Sequence, residues 1–395
     1  MISKVIDAVT KADIEELVNN QVRELRHIEY KQTLPGGKDD DKKEFLADVS
    51  SFANAGGGDL IYGIEESAGN PTAAVGVSCN LDQEILRLES MIRTGIEPRI
   101  IGFKTQPIEG FPQGPVLIIR IPRSWSGPHL VSFKNSSRFF TRSTNGKYQM
   151  DVTEIRSAFL LSDTLPQKIR QFRDDRLGKI IAGETPVPLL DKAKLVLHIL
   201  PYAAFAPGTK LDLLSASDQG SSLSDQIPGA NRRYNLDGLI TYAQETEIVA
   251  SAYTQFFRAG QIEWVDSMVL SSYGGENQIE SAEVEKELVF KTWKNMGVIR
   301  KLGLPAPLMI VVSMLGVRGK TLRFNFQFRQ VFPIDRDTLI LPDLVLSEYP
   351  PKGKNDNEET IEMAKILRPV FDALGNACGY PCSHNFDKSG NWAPR

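Results

Sequence analysis

The N-terminal part of the chain holds three acidic residues that could support hydrolytic chemistry together: Glu24, Glu29 and Glu66. Glu24 is expected at the end of a helix and Glu29 in the extended segment that follows. Their carboxylates can converge if the chain changes from helix to strand between them. Carboxylates that meet in this way bind hard divalent cations such as Mg²⁺ or Mn²⁺, which polarise a phosphodiester and activate water. The alternative is that these are ordinary surface acids.

Histidine and cysteine offer fewer candidates. His27 lies between the first two glutamates and could act as a general acid or base, although a solvent-facing histidine near a helix end is the commoner case. Cys378, Cys382 and His384 suggest a zinc site. The CxxC spacing is missing and these are only three ligands, so structural thiols are the favoured interpretation.

Two glycine-containing segments resemble phosphate-binding loops only superficially. Residues 316–321 (GVRGKT) follow an apolar run, but two residues separate the glycines where a P-loop needs four, and Met314 occupies the position of the first glycine. We therefore do not expect ATP as a cofactor. The glycines at residues 56–58 follow a predicted helix, and a helix C terminus presents carbonyl groups to a ligand, so they predict a helix end and a tight turn.

Charge is distributed unevenly along the chain. The 395 residues carry a net charge of −3, but residues 101–150 contain 7 Lys or Arg against 1 Asp or Glu. A basic stretch of this kind can contact phosphates, or it can form the solvated edge of a sheet. The residues of this stretch that we predict to bind nucleic acid are Lys134, Arg138, Arg142 and Lys147.

Composition limits the class of protein. Hydrophobic residues make up 41% and charged residues 24%, which is typical of a globular protein. No apolar run approaches the roughly 20 residues of a membrane span, so no membrane association is expected. Three cysteines and an acidic N terminus without an apolar signal core predict a cytoplasmic protein.

Helices and strands alternate through the first part of the chain, and these elements must position the three acids. Helical spacing of apolar residues predicts helices at residues 11–26, 42–54 and 82–94. Apolar runs predict extended segments at residues 28–34, 59–65, 100–106, 116–121, 130–133 and 138–142. Asp151 and Glu154 form a predicted capping box that opens a helix to about residue 161. Such alternation is typical of one compact α/β (α+β) unit.

A connecting helix at residues 164–182 and a second α+β domain at residues 183–395 are predicted next. Strands are expected at residues 195–200, 236–243, 252–257, 261–270, 308–315 and 322–328, with helices at residues 283–302 and 359–374. Residues 215–230 are rich in Ser, Asp, Gly and Gln and predict an exposed loop.

The segment at residues 52–66 (FANAGGGDLIYGIEE) is an unusual string, because a helix that ends on asparagine and glycines turns straight into a buried strand that closes on glycine and two acids. It resembles the AlbA-like domain of the Schlafen family, as do residues 24–31 (ELRHIEYK) and 138–142 (RFFTR) with the capping box at Asp151. The resemblance covers residues 15–163. Residues 198–201, 315–319 and 387–392 resemble landmarks of the second domain that several bacterial members carry.

The resemblance implies a metal-dependent endoribonuclease that acts on tRNA or other structured RNA, often in antiviral (antiphage) defence. Carried over position by position, it makes Glu24, Glu29 and Glu66 the catalytic carboxylates that bind Mg²⁺ or Mn²⁺, and it places Lys31 beside the scissile phosphate. The third acid of the family is usually aspartate, so Glu66 is one methylene longer.

Two alternatives remain open from the sequence. The chain could be a non-catalytic nucleic-acid-binding or regulatory protein in which the acids support the fold. It could also be a sensor or assembly module whose C-terminal domain carries the function. Larger relatives grip RNA with two AlbA-like lobes and this chain has one, so we predict a homodimer or higher homo-oligomer.

Overall fold

The computed structural model describes residues 2, 4, 6–134, 136–206, 209–211, 213, 231–271, 277–324, 332–350, 353, 355–387 and 389–394. The chain divides into two compact units, Met1–Thr164 and Leu165–Arg395, which we call the first and the second unit. Both units mix helices with sheets, so the predicted α+β fold class is confirmed. No helix in the described part of the chain is long and apolar enough to cross a membrane.

Within its described residues, the first unit contains two sheets and a separate hairpin. One sheet has the strand order β1-β2-β7-β6, in which β1 and β2 are parallel and the other neighbours antiparallel. The other sheet is antiparallel, in the order β10-β9-β8-β5, and β3 pairs with β4 in the hairpin. The strands are β1 (Ile28–Lys31), β2 (Gly58–Tyr62), β3 (Ile64–Ser67), β4 (Asn70–Ala74), β5 (Ile96–Glu97), β6 (Lys104–Phe111), β7 (Gly114–Ile121), β8 (Leu130–Phe133), β9 (Ser136–Ser143) and β10 (Gly146–Gln149). The helices are α1 (Lys11–Asn19), α2 (Asp39–Asn54) and α3 (Leu81–Gly95).

The sheet that contains β1 is covered on both faces. Leu60 and Tyr62 of β2 pack into a core with α2 and α3, whereas Ile61 packs into a second core with Ile14 of α1. Successive residues of a strand point to opposite faces, so every residue of a strand between two cores is buried, as all five residues of β2 are. This explains why the sequence of β2 shows no alternation of apolar and polar residues.

Helix α2 lies at the centre of the first unit. Every residue from Phe45 to Ala53 is buried, because the helix packs against strands of both sheets. Asn54 at its end fixes the second sheet: its side-chain nitrogen donates to the carbonyls of His129 (3.0 Å) and Phe140 (2.8 Å). Its side-chain oxygen accepts the N–H of His129 at 2.7 Å.

Several predicted elements of the first unit need correction. The helix expected at residues 11–26 ends at Asn19, and the strand expected at residues 59–65 is divided into β2 and β3. The strand expected at residues 100–106 starts at Lys104, and the sequence did not predict β4, β5 or β10. The capping box is confirmed: the N–H of Glu154 donates to Asp151 at 2.8 Å and the N–H of Asp151 donates to Glu154 at 2.9 Å.

The helix after the capping box is α4 (Val152–Ile181), which is continuous through Pro166. The sequence predicted two helices here. In the second unit a large antiparallel sheet has the order β12-β13-β14-β15-β11-β17-β19, and β20 also pairs with β17. Its strands are β11 (Lys194–Pro201), β12 (Asn231–Tyr234), β13 (Gly238–Gln244), β14 (Ala250–Phe257), β15 (Ile262–Asp266), β17 (Leu308–Leu315), β19 (Thr338–Ile340) and β20 (Leu344–Leu346).

A small parallel pair, β16 (Gln278–Glu280) with β18 (Thr321–Arg323), and the helices α5 (Ser281–Lys301) and α6 (Asp356–Asn376) complete the described part of the second unit. The strand predicted at residues 322–328 corresponds to β18 only in part, because residues 325–331 lie outside the described residues. The predicted loop at residues 215–230 also lies outside them.

A buried ionic network joins α4 to the large sheet of the second unit. Arg176 donates to both carboxylate oxygens of Glu263, at 2.8 and 2.7 Å. The hydroxyl of Tyr253 donates to the same carboxylate at 2.8 Å, and Nε2 of His198 lies 3.0 Å from it. Burial alone would raise the pKa of Glu263, but the hydrogen bonds from Arg176 and His198 outweigh it and lower this pKa to about 2. The carboxylate is therefore charged inside the core.

Replacing Arg176 with Met should lower the free energy of unfolding of the second unit by about 3 to 5 kcal/mol, because Glu263 stays buried without its cation. The exposed Lys179 on the same helix is the matched control, and Lys179→Met should change stability by less than about 0.5 kcal/mol. Urea unfolding of both variants measures the difference, and equal losses of stability would contradict the structural role of Arg176.

Because the pKa of Glu263 is lowered, the ionised carboxylate stabilises the second unit fully above the ordinary pKa of 4.5. This stabilisation is lost as the pH falls toward 2, which urea unfolding at several pH values measures.

Candidate functional site

An open cleft of about 570 Å³ lies in the first unit and brings together residues that are distant in sequence. Glu24, Glu29 and Arg142, all predicted from the sequence to be functional, line it. Its other lining residues are Arg23, Leu25, Ala68, Gly69, Thr144, Asn145 and Gly146. The cleft is therefore the candidate functional site.

Glu24 reaches the cleft from a connection and not from a helix. Helix α1 ends in a Schellman motif, in which the N–H of Val22 donates to Leu17 (2.9 Å) and the N–H of Gln21 to Val18 (3.0 Å). Gln21 has a φ of 48°, a conformation that glycine usually provides, so no residue type in the sequence marks the helix end. The turn directs the chain toward β1 with Glu24 in between.

The Glu24 carboxylate is half-buried and accepts the N–H of Tyr30 at 2.7 Å. The N–H of Glu24 donates to the carbonyl of Gly69 at 2.7 Å, which ties it to the hairpin of β3 and β4. Burial raises the pKa of Glu24, and the nearby charges of Glu29 and Glu66 add to this although the Tyr30 hydrogen bond opposes it. Of the three predicted acids, Glu24 is thus the one whose pKa the other two raise.

Glu29 belongs to a buried ion pair. It lies on β1 two residues before Lys31, so both side chains extend from the same face, and Nζ of Lys31 is 3.0 Å from the Glu29 carboxylate. Arg142 of β9 donates to the other carboxylate oxygen, and its guanidinium lies 3.8 Å from the centre of the Phe52 ring. Burial would raise the pKa of Glu29, but Arg142 and Lys31 lower it. The carboxylate is therefore ionised and already paired.

Glu66 lies at the exposed tip of the hairpin, where its carboxylate accepts the N–H of Gly69 at 2.7 Å. The hairpin exists because the chain turns at Gly63, which has a φ of +91°. A Cβ there would lie 2.7 Å from Cα of Gly76, and a Cβ at Gly76 would clash with the carbonyl of Gly114. Three glycines thus bring the backbone segments into direct contact at the base of the hairpin.

The three glutamates are suitable donors for a divalent cation, but their arrangement does not fit one. No group of three His, Cys, Asp or Glu side chains in the described residues could hold a metal ion. Each of the three carboxylates accepts a hydrogen bond from the protein. The buried polar atoms near the cleft that lack a partner are Nε and Nη1 of Arg142, which are donors. The two nitrogens without a partner belong to a guanidinium that is buried against the Phe52 ring.

The predicted nucleic-acid-binding residues are mostly engaged with acids. Lys134 pairs with Asp39, Arg142 with Glu29, and Lys147 with the buried Asp48 at 2.6 Å. Arg138 is exposed and has no hydrogen-bond or ion-pair partner within the described part of the chain. Much of the basic excess of residues 101–150 thus neutralises acids of the same unit.

Sequence reasoning did not single out Arg23, which is exposed at the cleft and has no ion-pair partner among the described residues. Its position directly before Glu24 is the signal that could have identified it. Lys31, Lys134, Arg138 and Lys147 do not line this cleft.

Residues 24–151 match the model of the family described as Schlafen, AlbA_2. The first unit therefore carries a Schlafen AlbA_2 domain. The match includes Glu24, Glu29, Glu66 and Arg142, and an AlbA_2 domain suggests a function related to nucleic acid. The predicted resemblance to the Schlafen family is confirmed for this part of the chain.

Solved structures with some similarity include the crystal structure of the DIP2311 protein from Corynebacterium diphtheriae. Sequence identity is 18% and the TM-score is 0.26, over 35% of this chain and 29% of the DIP2311 chain. The present chain thus matches less than a third of the length of that protein. No curated protein matches the chain significantly in sequence.

Replacing Glu29 with Gln should destabilise the AlbA_2 domain by about 3 to 5 kcal/mol, because the Arg142 guanidinium would remain buried without its carboxylate. Glu15 of α1 is more exposed and pairs with Lys11 at 3.5 Å, so Glu15→Gln should cost less than about 0.5 kcal/mol. Chemical unfolding followed by circular dichroism measures both. A stable Glu29→Gln protein would show that the pair is not structural.

Proposed function

We propose that the AlbA_2 domain binds RNA through phosphate groups that enter the cleft beside Arg23 and Arg142. The observation that carries this proposal is the buried Arg142 guanidinium in the cleft lining, two of whose nitrogens have no hydrogen-bond partner, beside carboxylates that are already hydrogen-bonded. A buried charged donor without an acceptor is costly, and a phosphate oxygen would relieve that cost. The choice of RNA rests on the resemblance to the Schlafen family.

Arg23 supports the proposal from the rim of the cleft. Its side chain is exposed and unpaired in the described structure, so it can meet a phosphate without first breaking an ion pair. Arginine binds phosphate oxygens through two parallel hydrogen bonds, which makes it suited to this position. A ligand would thus contact the exposed guanidinium of Arg23 at the rim, with the positive charge of the buried Arg142 behind it.

Arg23→Gln should weaken binding of a fluorescently labelled tRNA by roughly tenfold and reduce the slope of log affinity against log salt by about one. Arg93 of α3 is the matched control, because it is also exposed but pairs with Glu89 at 3.2 Å away from the cleft lining. Fluorescence anisotropy at several salt concentrations gives both quantities. The proposal fails if Arg23→Gln and Arg93→Gln bind as tightly as the unmodified protein.

A second function, metal-dependent RNA cleavage, is favoured by a different observation. Glu24 and Glu29 line one cleft, and the charge of Glu66 acts on Glu24. Acids kept this close are suited to catalysis on a phosphodiester. Their present hydrogen bonds do not fit a bound cation, so the three carboxylates would have to exchange partners before a metal could bind. The predicted homo-oligomer, the role in antiviral defence and a sensor role of the second unit stay predictions.

Incubation of a total tRNA pool with Mn²⁺ or Mg²⁺ tests cleavage. Glu66→Gln is the informative variant, because Glu66 is exposed and its replacement leaves the buried Glu29–Arg142 pair intact. Glu65→Gln is the control, since the Glu65 carboxylate lies next in the chain and accepts a hydrogen bond from the side chain of Gln32 at 3.0 Å. Discrete fragments that disappear with EDTA and in Glu66→Gln, but persist in Glu65→Gln, are the expected result for a nuclease. Intact RNA despite measurable binding excludes cleavage.

A further inference from the structure

We propose that Arg26, Arg123 and Trp125 form a binding site for an unpaired stretch of RNA beside the cleft. This proposal rests on the proposed RNA binding and specifies the form of RNA that the domain recognises. We call these three residues the arginine–tryptophan edge. They lie in two segments far apart in the chain, so the sequence does not reveal them as a group.

The edge combines an aromatic plane with two cations. The guanidinium carbon of Arg123 lies 3.9 Å from the centre of the Trp125 ring, which is a stacked cation–π contact. Arg26 is exposed, and neither arginine has a hydrogen-bond or ion-pair partner in the part of the chain that the structure describes. The protein thus supplies positive charge here without an internal acid to neutralise it.

The two arginines repel each other. Burial and the neighbouring charge of Arg26 lower the pKa of Arg123 to about 10. Like charges held together are destabilising unless an anion lies between them or close by. In this respect the edge differs from the pairs of Lys134 and Lys147, whose charges are matched by acids.

The glycines at the end of α2 hold the edge in place. Gly57 has a φ of +73°, and a Cβ there would lie 2.7 Å from the backbone nitrogen of Arg123. A Cβ at Gly56 would clash with the ring of His27, whose Nδ1 lies 2.9 Å from the carbonyl of Gly57. The segments that carry Arg26 and Arg123 therefore both pack against the glycine backbone at the end of α2. The two arginines are held near each other before any ligand binds.

The edge lies next to the cleft along the chain. Arg23 and Leu25, just before Arg26, line the cleft, as does Gly146 at the start of β10. The charge of Arg26 also acts on Tyr148 of β10, a partly exposed tyrosine whose hydroxyl donates to Glu154 at 2.8 Å. A strand of RNA that enters the cleft would reach the edge with its next nucleotides.

Unpaired RNA is the form that this chemistry suits. Bases in a duplex are stacked on one another, whereas bases of a single strand are free to stack on aromatic rings and guanidinium planes. Arg123 on Trp125 presents such a plane, and Arg26 supplies a cation for the adjoining phosphate. A paired helix keeps its bases stacked within the duplex and could not place one on this plane.

The test compares binding of a labelled oligouridylate with binding of a fully paired RNA hairpin by fluorescence anisotropy, using the full-length protein. Arg26→Gln and Arg123→Gln should each weaken oligouridylate binding about tenfold and reduce its salt slope by about one, with little change for the hairpin. Arg93→Gln is the control variant. Arg26 is exposed, so Arg26→Gln decides the question if Arg123→Gln does not fold.

The outcomes separate this inference from the function on which it rests. If the unmodified protein binds RNA and Arg23→Gln weakens it, but Arg26→Gln and Arg123→Gln bind the oligouridylate normally, only the edge is wrong. Equal losses for oligouridylate and hairpin also overturn it, because they would indicate recognition of phosphates alone. If the unmodified protein binds neither RNA, the proposed function and this inference both fail.

Discussion

The ion pair between Glu29 and Arg142 is the interaction on which the rest of the AlbA_2 domain depends. It connects β1 of one sheet to β9 of the other, and the ring of Phe52 on the central helix packs against the guanidinium. A charge buried without its partner costs several kcal/mol, so both sheets must be correctly placed at the same time. Glu29 and Arg142 therefore line the cleft and also hold the two sheets together. Substitutions that alter the chemistry of the cleft at these positions also alter the stability of the domain.

The central helix α2 is also joined to the second sheet by ion pairs and hydrogen bonds. Its acids Asp39 and Asp48 pair with Lys134 and Lys147, and Asn54 bonds to two backbone segments of the second sheet. Two of the basic residues that stand out in the sequence thus neutralise acids of this helix. Arg23, an exposed cation without a pairing acid in the described part of the chain, lies instead at the cleft.

The elements with strong local signals could be predicted from the sequence. The capping box at Asp151 and the helix end at the glycines 56–58 depend on neighbouring residues, so their patterns are readable. The end of α1 could not be read, because Gln21 adopts a conformation that tertiary contacts impose on it. The turn at Gly63 and the partners of Arg142 depend on backbone and side-chain contacts between distant segments, which one sequence does not reveal.

The contact of Gly63, Gly76 and Gly114 separates two roles within the hairpin of β3 and β4. Its base is fixed by main chain against main chain, where any added side-chain atom would collide. Its tip at Ala68 and Gly69 borders the cleft, and the exposed side chain of Ala68 takes no part in that packing. Substitutions at Ala68 over evolutionary time can therefore alter one wall of the cleft while the backbone hydrogen bond to Gly69 keeps Glu24 in position. The domain can change what it recognises without rebuilding its frame.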